Sequence, residues 1–305
     1  MATETRPGNG KARSPTQMAT AASVLAVLCW GLGNVLVKHI RLSGLSVAFN
    51  RLALGSLVFT AAVYLTGGRI TVRALRCAAA GGVAFGLDLA LFFTSLKHTS
   101  VADASVITAM QPALVFLVAG RLFGERVTPR TLWWTLLAAI GVIVAVFGSA
   151  SGAGRTAYGD LLAAGSLGAW AWYFVASKQA REQLSALEYQ AAMTIVATVV
   201  VAPVAVVGSH DLVVHDPATA GWVLLMVVVP GGGHLLANWA HRYATITLMS
   251  MLTLGIPVVA TIGAALLLGE PVTLVEAIGI ALVVIAIGMV IRPRRRPLDQ
   301  DIVPL

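Results

Sequence analysis

Charge is what this chain has least of. Asp, Glu, Lys and Arg make up 11% of its 305 residues, against an ordinary share of about 25%, while hydrophobic residues reach 58%. That balance excludes an ordinary soluble domain. Cysteine is scarce as well: Cys29 and Cys77 are the only two, both in or beside apolar stretches without CxxC or Cys/His spacing. Neither a disulfide framework nor a zinc site is expected. A P-loop, a serine triad and a zincin helix are also missing, and no two carboxylates share an apolar run. ATP hydrolysis and intramembrane catalysis therefore have no residues to carry them, so the chain reads as a non-enzyme without a cofactor.

The first residues lack the short apolar core and small-residue cleavage site of a secretory signal. Residues 1–17, MATETRPGNGKARSPTQ, are polar, with Pro and Gly, and read as a disordered tail. Acidic residues are outnumbered, 13 against 21 Lys plus Arg. In a soluble chain that excess would point to nucleic acid. Here the basic residues lie between apolar runs, so they report membrane topology and no nucleic-acid partner is expected.

Those apolar runs are what the chain has in abundance. They fall at roughly 18–37, 45–66, 77–96, 101–120, 131–149, 158–177, 187–208, 220–240, 246–268 and 272–291. Each is about 20 residues, long enough to cross the hydrocarbon core as a helix. The expected fold is an all-α membrane protein of ten transmembrane helices joined by short loops. One set of loop ends holds Arg69, Arg73, Arg76, Arg121, Arg126, Arg130, Lys178, Arg181 and the tail arginines 292 and 294–296, while the other holds only Lys38, Arg41, Lys97 and Arg155. The positive-inside rule then puts both termini in the cytoplasm. Residues 292–305 form a basic tail placed to meet anionic lipid headgroups, and the acidic loop 209–219 faces outward. A bacterial inner membrane is the expected location. Assembly, as monomer or homodimer, stays open.

One stretch occurs twice. Ser105 to Thr128, SVITAMQPALVFLVAGRLFGERVT, and Ser250 to Thr273, SMLTLGIPVVATIGAALLLGEPVT, agree without a gap at nine of 24 positions. The matches include Pro112/Pro257, Gly124-Glu125/Gly269-Glu270 and Val127-Thr128/Val272-Thr273, which apolar bias does not produce. This is an internal repeat, supported by Trp30 to Lys38 aligning with Trp170 to Lys178. Five helices per copy is an odd number, so the second copy enters the membrane from the opposite side. The expectation is a 5+5 inverted repeat, residues 18–149 and 158–291, with a solute site between the halves near the midplane. Pro112 and Pro257 remove a backbone donor and bend their helices. They either shape the site or serve packing alone.

Polar residues inside apolar runs are costly unless they face a cavity or a partner. His234, Asn238 and His241 follow at i, i+4 and i+7, on one helix face. Gly231-Gly232-Gly233 after Pro230 suggests that this helix is irregular, and His241, near the cytoplasmic edge, reads as either functional or solvated. Asp88 is the acidic residue in the middle of an apolar run. With Arg51 it lies about 9 to 12 Å deep at 1.5 Å per residue, so the two either form a buried ion pair or leave Asp88 as a binding or proton-carrying group. Trp30 and Asn34 share a face, as do Trp170 and Tyr173, and such aromatics either stack on a solute or pack between helices. Gln111, just before Pro112, is a further candidate for the lining. Lys38 reads as snorkelling outward.

Trp30-Gly31 with Lys38, Asn50-Arg51, His98-Thr99-Ser100 with Ala104 and Ser105, and the doubled Pro and Gly-Glu positions occur together in this order. In that order the chain, from about 20 to 291, resembles the ten-helix EamA-like branch of the drug/metabolite transporter superfamily. The resemblance implies a 5+5 inverted-repeat carrier of small organic solutes, often an exporter of amino acids, metabolites or drugs. The expected activity is secondary transport by alternating access, with a proton gradient or the solute's own gradient as energy source. A facilitative uptake permease and a lipid-carrier flippase are the alternatives. Glu125 and Glu270 sit where they can cap or pair.

Overall fold

The computed structural model describes residues 14–96, 98–99, 101–148, 156–269 and 271–292. Among these residues the secondary structure is helical, without strands. In chain order the helices are α1 (Pro15–Leu36), α2 (Gly44–Leu65), α3 (Val72–Ser95), α4 (Val101–Thr108), α5 (Gln111–Phe123) and α6 (Pro129–Gly148). They continue with α7 (Ala157–Ala180), α8 (Ala186–Gly208), α9 (Pro217–Ala240), α10 (Ile246–Leu252), α11 (Gly255–Leu268) and α12 (Leu274–Ile291). Nine segments among the described residues are long and apolar enough to cross a membrane. The helix left out, α7, has 24 residues but carries Asp160, Ser166, Tyr173, Ser177 and Lys178.

Side chains start these helices. Ser43, Thr71, Thr156, Ser185, Asp216, Thr245 and Thr273 each accept a backbone N–H in the first turn that follows, a cap worth about 1 kcal/mol. Ser14 and Gln17 form a reciprocal capping box behind Pro15, which starts α1 three residues ahead of its apolar run. The rest of the N-terminal tail, the tail after Arg292, and Lys97, Ser100, Arg155 and Glu270 lie outside the described residues.

The ten expected spans appear as twelve helices because the fourth and ninth are each broken in two. Pro112 is the second residue of α5 and Pro257 the third of α11. Neither proline can donate to the carbonyl four residues back, which belongs to Thr108 and Thr253 respectively. The chain turns more tightly there: Met110 N donates to Ile107 O at 3.1 Å, and Leu254 N to Met251 O at 3.2 Å. Both second segments end on a left-handed glycine, Gly124 at φ 64° and Gly269 at φ 69°, where another L-residue costs roughly 1–2 kcal/mol. The two sequence copies thus share a local conformation.

The irregularity expected at Gly231–Gly233 is not found, since α9 is continuous through Pro230. Packing explains those residues instead. A Cβ on Gly233 would come within 2.8 Å of Cys29 Cβ and 3.1 Å of Ala26 O, and one on Gly33 within 3.0 Å of the Pro230 ring. Small residues let α1 and α9 approach closely, as bundles in lipid require. The two helices run antiparallel, with Trp30 beside His234 (ring centroids 5.0 Å apart) and His39 stacked on Trp222 at 4.4 Å.

Helices α1–α6 pack mainly on helices α7–α12: α1 on α9 and α11, α2 on α8, α3 on α7 and α8, and α6 on α12. Polar links close both ends of the bundle. At the end where α2 begins, Asp211 accepts from the Ser43 N–H and, at 2.7 Å each, from the Ser43 and Ser46 hydroxyls. Burial pulls the Asp211 carboxyl upward, but these hydroxyl and backbone donors outweigh it and hold the group below its ordinary range. Asn50 adds a bond to Leu212 O at 2.8 Å, and Thr99 donates to Asp160 at 2.7 Å. At the opposite end, the Glu125 carboxylate receives the Ile246 and Thr247 N–H groups at 2.8 and 3.0 Å.

Candidate functional site

Between the two groups of helices lies a cavity of about 120 Å³. Its walls come from α1 (Trp30, Gly33, Asn34), α2 (Arg51), α3 (Asp88, Leu89, Phe92, Phe93), α7 (Ser166, Trp170) and α9 (Met226, Pro230, His234). Both helix breaks reach it, through Thr108 and Ala109 on one side and Thr253, Ile256 and Pro257 on the other.

Trp30 and Trp170 form an edge-to-face pair 5.2 Å apart, an arrangement favoured by the ring quadrupoles. His234 fills the corner, 4.6 Å from the Phe85 ring and 5.9 Å from Trp170. Opposite charges share this apolar chamber. Arg51 and Asp88 are each 7% exposed and feel one another's charge, yet no ion pair or hydrogen bond joins them among the described residues. Asp88 instead accepts from Ser166 Oγ at 2.7 Å, and Arg51 donates to no described protein group. One guanidinium and one carboxyl group therefore face the cavity with unused hydrogen-bonding capacity.

Below the chamber the polar side chains connect to one another. Tyr173 Oη lies 3.1 Å from His234 Nδ1 and donates to Asn238 Oδ1 at 3.3 Å. Asn238 Nδ2 donates to Gln190 Oε1 at 2.7 Å, and Ser177 and Tyr189 share a bond of 2.8 Å. Tyr173 also stacks on Trp170 at 5.2 Å. Phe85, Tyr173, Phe174 and Tyr189 are each at most 2% exposed, so this layer seals the chamber floor.

Of the residues singled out from the sequence, Trp30, Asn34, Arg51, Asp88, Trp170, His234 and Pro257 line the cavity. Tyr173 and Asn238 lie just beneath it, while Gln111 is buried behind Thr253, whose hydroxyl donates to it at 3.4 Å. Pro112 is buried in the same layer. His241 is not solvated: it is 1% exposed and packs edge-on against Phe174, because Lys178 and Arg181 of α7 cover the end of α9. Lys38 is exposed in a short 3-10 turn, Val37–His39. Sequence reasoning missed Ser166, Thr108 and Thr253. Ser166 sits in a stretch of Ala and Gly without periodic signal, whereas the threonines hold matching places before the two prolines and the repeat could have marked them.

The sequence model of the EamA-like transporter family matches residues 17–147 and again 157–292. The pseudopaline exporter CntI of Pseudomonas aeruginosa is 30% identical over 234 residues, which cover 73% of this chain and 79% of that relative. An uncharacterized transporter of Archaeoglobus fulgidus is 26% identical over 274 residues, 88% of this chain and 97% of the other. A crystal structure of a protein 20% identical in sequence superposes with a TM-score of 0.79 over 90% of this chain and 96% of its own; that likeness shows the fold alone.

Proposed function

Because the chain belongs to the EamA-like transporter family and is an integral membrane transporter, we propose that it is a secondary carrier exporting a small organic solute by alternating access. The observation that carries this reading is the cavity, walled from both matched segments at the level of both helix breaks. Broken helices at a midplane cavity are where carriers place their sites. The solute class follows from the lining. A carboxylate would meet Arg51, an amine would meet Asp88 and the Trp30 and Trp170 faces, and an apolar body would fit between the rings. Asn34 and His234 supply orienting polar contacts, while Tyr173, Asn238 and Gln111 support the wall from behind.

Residues 18–149 and 158–291 act as two five-helix modules threaded in opposite senses. Packing supports this, because exchanging the modules maps the pair α1 with α9 onto α7 with α3 and returns α2 with α8 and α6 with α12 to themselves. The corners support it too. Glu125, after Gly124, touches the start of α10 just past the end of α9. In α11, which ends at Gly269, a Cβ on Gly263 would meet Val35 and Leu32 near the far end of α1. Since α1 and α9 are antiparallel, those corners belong to opposite ends of the bundle. The arginine distribution supports a cytoplasmic Glu125 end and cytoplasmic termini, and the bacterial relative supports an inner membrane. Outward transport agrees with the exporter among the relatives.

A counterflow screen in proteoliposomes over amino acids, amines, sugars and nucleosides, with and without a pH gradient, tests the reading. Solutes bearing both an amine and a carboxylate should exchange best. Absence of exchange across the whole panel, or exchange confined to sugars, would refute it.

A further inference from the structure

At the end of the bundle where α9 meets α10, the chain is clasped from two directions. From α7, Lys178 Nζ donates to Ala244 O at 2.7 Å and to His241 O at 3.3 Å, and Arg181 Nε donates to Asn238 O at 2.6 Å. These acceptors include carbonyls that the end of a helix leaves without an intrahelical partner, and two cations there also suit the helix dipole. From the other module comes Glu125. Its carboxylate takes the first two N–H groups of α10, while Thr245 takes that of Leu248. The same carboxylate lies 3.6 Å from Lys178 Nζ, with both side chains largely covered at 11% and 16% exposure. Glu125 thus binds helix start and cation together, across the line along which the modules would separate.

Three features bear on whether this contact can part. The chamber floor links the clasp to the cavity: Phe174 touches Trp170 in the cavity wall and His241 at the clasp, and Asn238 joins Tyr173 above to Arg181 below, so a parted clasp would bear on the route into the chamber. Closure also leaves hydrogen-bonding capacity unused: both ring nitrogens of His241 and Arg181 Nη1 are buried without a partner. Those groups would gain water if this end opened, which offsets part of what the clasp contributes and keeps the two arrangements close in free energy. Finally, α10 is only seven residues long and stops at Leu252, before α11 starts at Gly255, so the helix that Glu125 caps is a separate short rod.

Building on the carrier reading, we infer that the Glu125 carboxylate is the latch of the cytoplasmic gate, and that its release from the α10 start and Lys178 opens the chamber to that side. The test is site-directed labelling of full-length protein in membrane vesicles of defined sidedness. In a Cys29→Ser, Cys77→Ser background, Ser177→Cys places a thiol beneath the floor, where the native residue is fully buried. Glu125→Gln should raise its modification by a membrane-impermeant maleimide from the cytoplasmic face about tenfold, the ratio equivalent to ~1.4 kcal/mol. The rate from the outer face should not rise. Unchanged rates, or equal rises from both faces, would overturn the latch. If Glu125→Gln does not accumulate, Lys178→Gln tests the Lys178 half of the latch by the same readout, because it removes the ion pair together with the bonds to Ala244 and His241 and leaves the Glu125 cap on α10 in place. The carrier reading fails separately: it predicts that an exchanging solute alters labelling in the protein with Glu125 and Lys178 intact, whichever way the latch variants behave.

Discussion

Replacing Arg51 with glutamine is the sharpest probe of how the chamber reads its solute. Arg51 is 7% exposed, lines the cavity, and is bonded to no described protein group. On the proposed carrier reading, its guanidinium is the group that meets a solute carboxylate. A hydrogen bond between a guanidinium and a carboxylate contributes about 1.5–3 kcal/mol net, and RT ln K turns that into roughly ten- to hundredfold in affinity. Arg51→Gln should weaken competition by amino acids in counterflow by that factor. It should leave competition by the corresponding amines, which lack the carboxylate, within about twofold of the unsubstituted protein. Asp88→Asn should do the reverse, penalising solutes that carry an amine. The assay is inhibition of counterflow by matched pairs of solutes, with and without the carboxylate, at fixed protein per vesicle. Equal loss for both members of a pair under Arg51→Gln would refute the reasoning and make Arg51 a structural residue.

Other expectations follow from the same geometry. Tyr173→Phe removes the hydroxyl shared by His234 and Asn238 and keeps the ring on Trp170, so stability should fall by about 1–3 kcal/mol, read as a shift in the denaturation midpoint in detergent. Pro112→Ala and Pro257→Ala should each let the broken helix run on, keeping or raising the melting temperature while lowering counterflow; full transport in both would show that the breaks serve packing alone. Asp211, held below its ordinary carboxyl range by the Ser46 and Ser43 donors, stabilises the α2 start fully above its unfolded pKa of about 3.9. That contribution is lost as pH falls through the lower folded value, so acid melts of the unsubstituted protein and of Asp211→Asn should converge in that range and separate above it.

Much of this architecture can be read from residue order, and the limits of that reading are physical. Run length alone places the helices, since lipid demands about 20 apolar residues per span. The paired prolines and glycines identify equivalent breaks and corners before any coordinates exist. Arg51, Asp88 and His234 stand out because each costs free energy in hydrocarbon unless a cavity or partner receives it, and Trp30 and Trp170 because such aromatics stack on a solute or pack between helices; in the structure all five converge on one chamber. Periodicity tells which residues share a face of one helix, but not which face of another helix it meets. That is why Ser166 as the partner of Asp88, Gln190 as the partner of Asn238, and the burial of His241 could not be foreseen. The continuity of α9 was misjudged for a related reason, since glycines beside a proline signal irregular backbone and close packing alike. Glu125 was legible as a loop carboxylate able to cap or pair, but its targets were not, because Ile246 and Thr247 lie more than a hundred residues away.

Whether two modules of opposite sense enclose the chamber is decided most directly by the sidedness of their matching corners. Single cysteines at Arg126→Cys and Val272→Cys, in the Cys29→Ser, Cys77→Ser background, report it through an impermeant maleimide applied to right-side-out and inverted vesicles. Labelling of the first from the cytoplasmic face and of the second from the outer face is the predicted result. Reaction of both from one face would contradict the inverted arrangement and, with it, the carrier built on it.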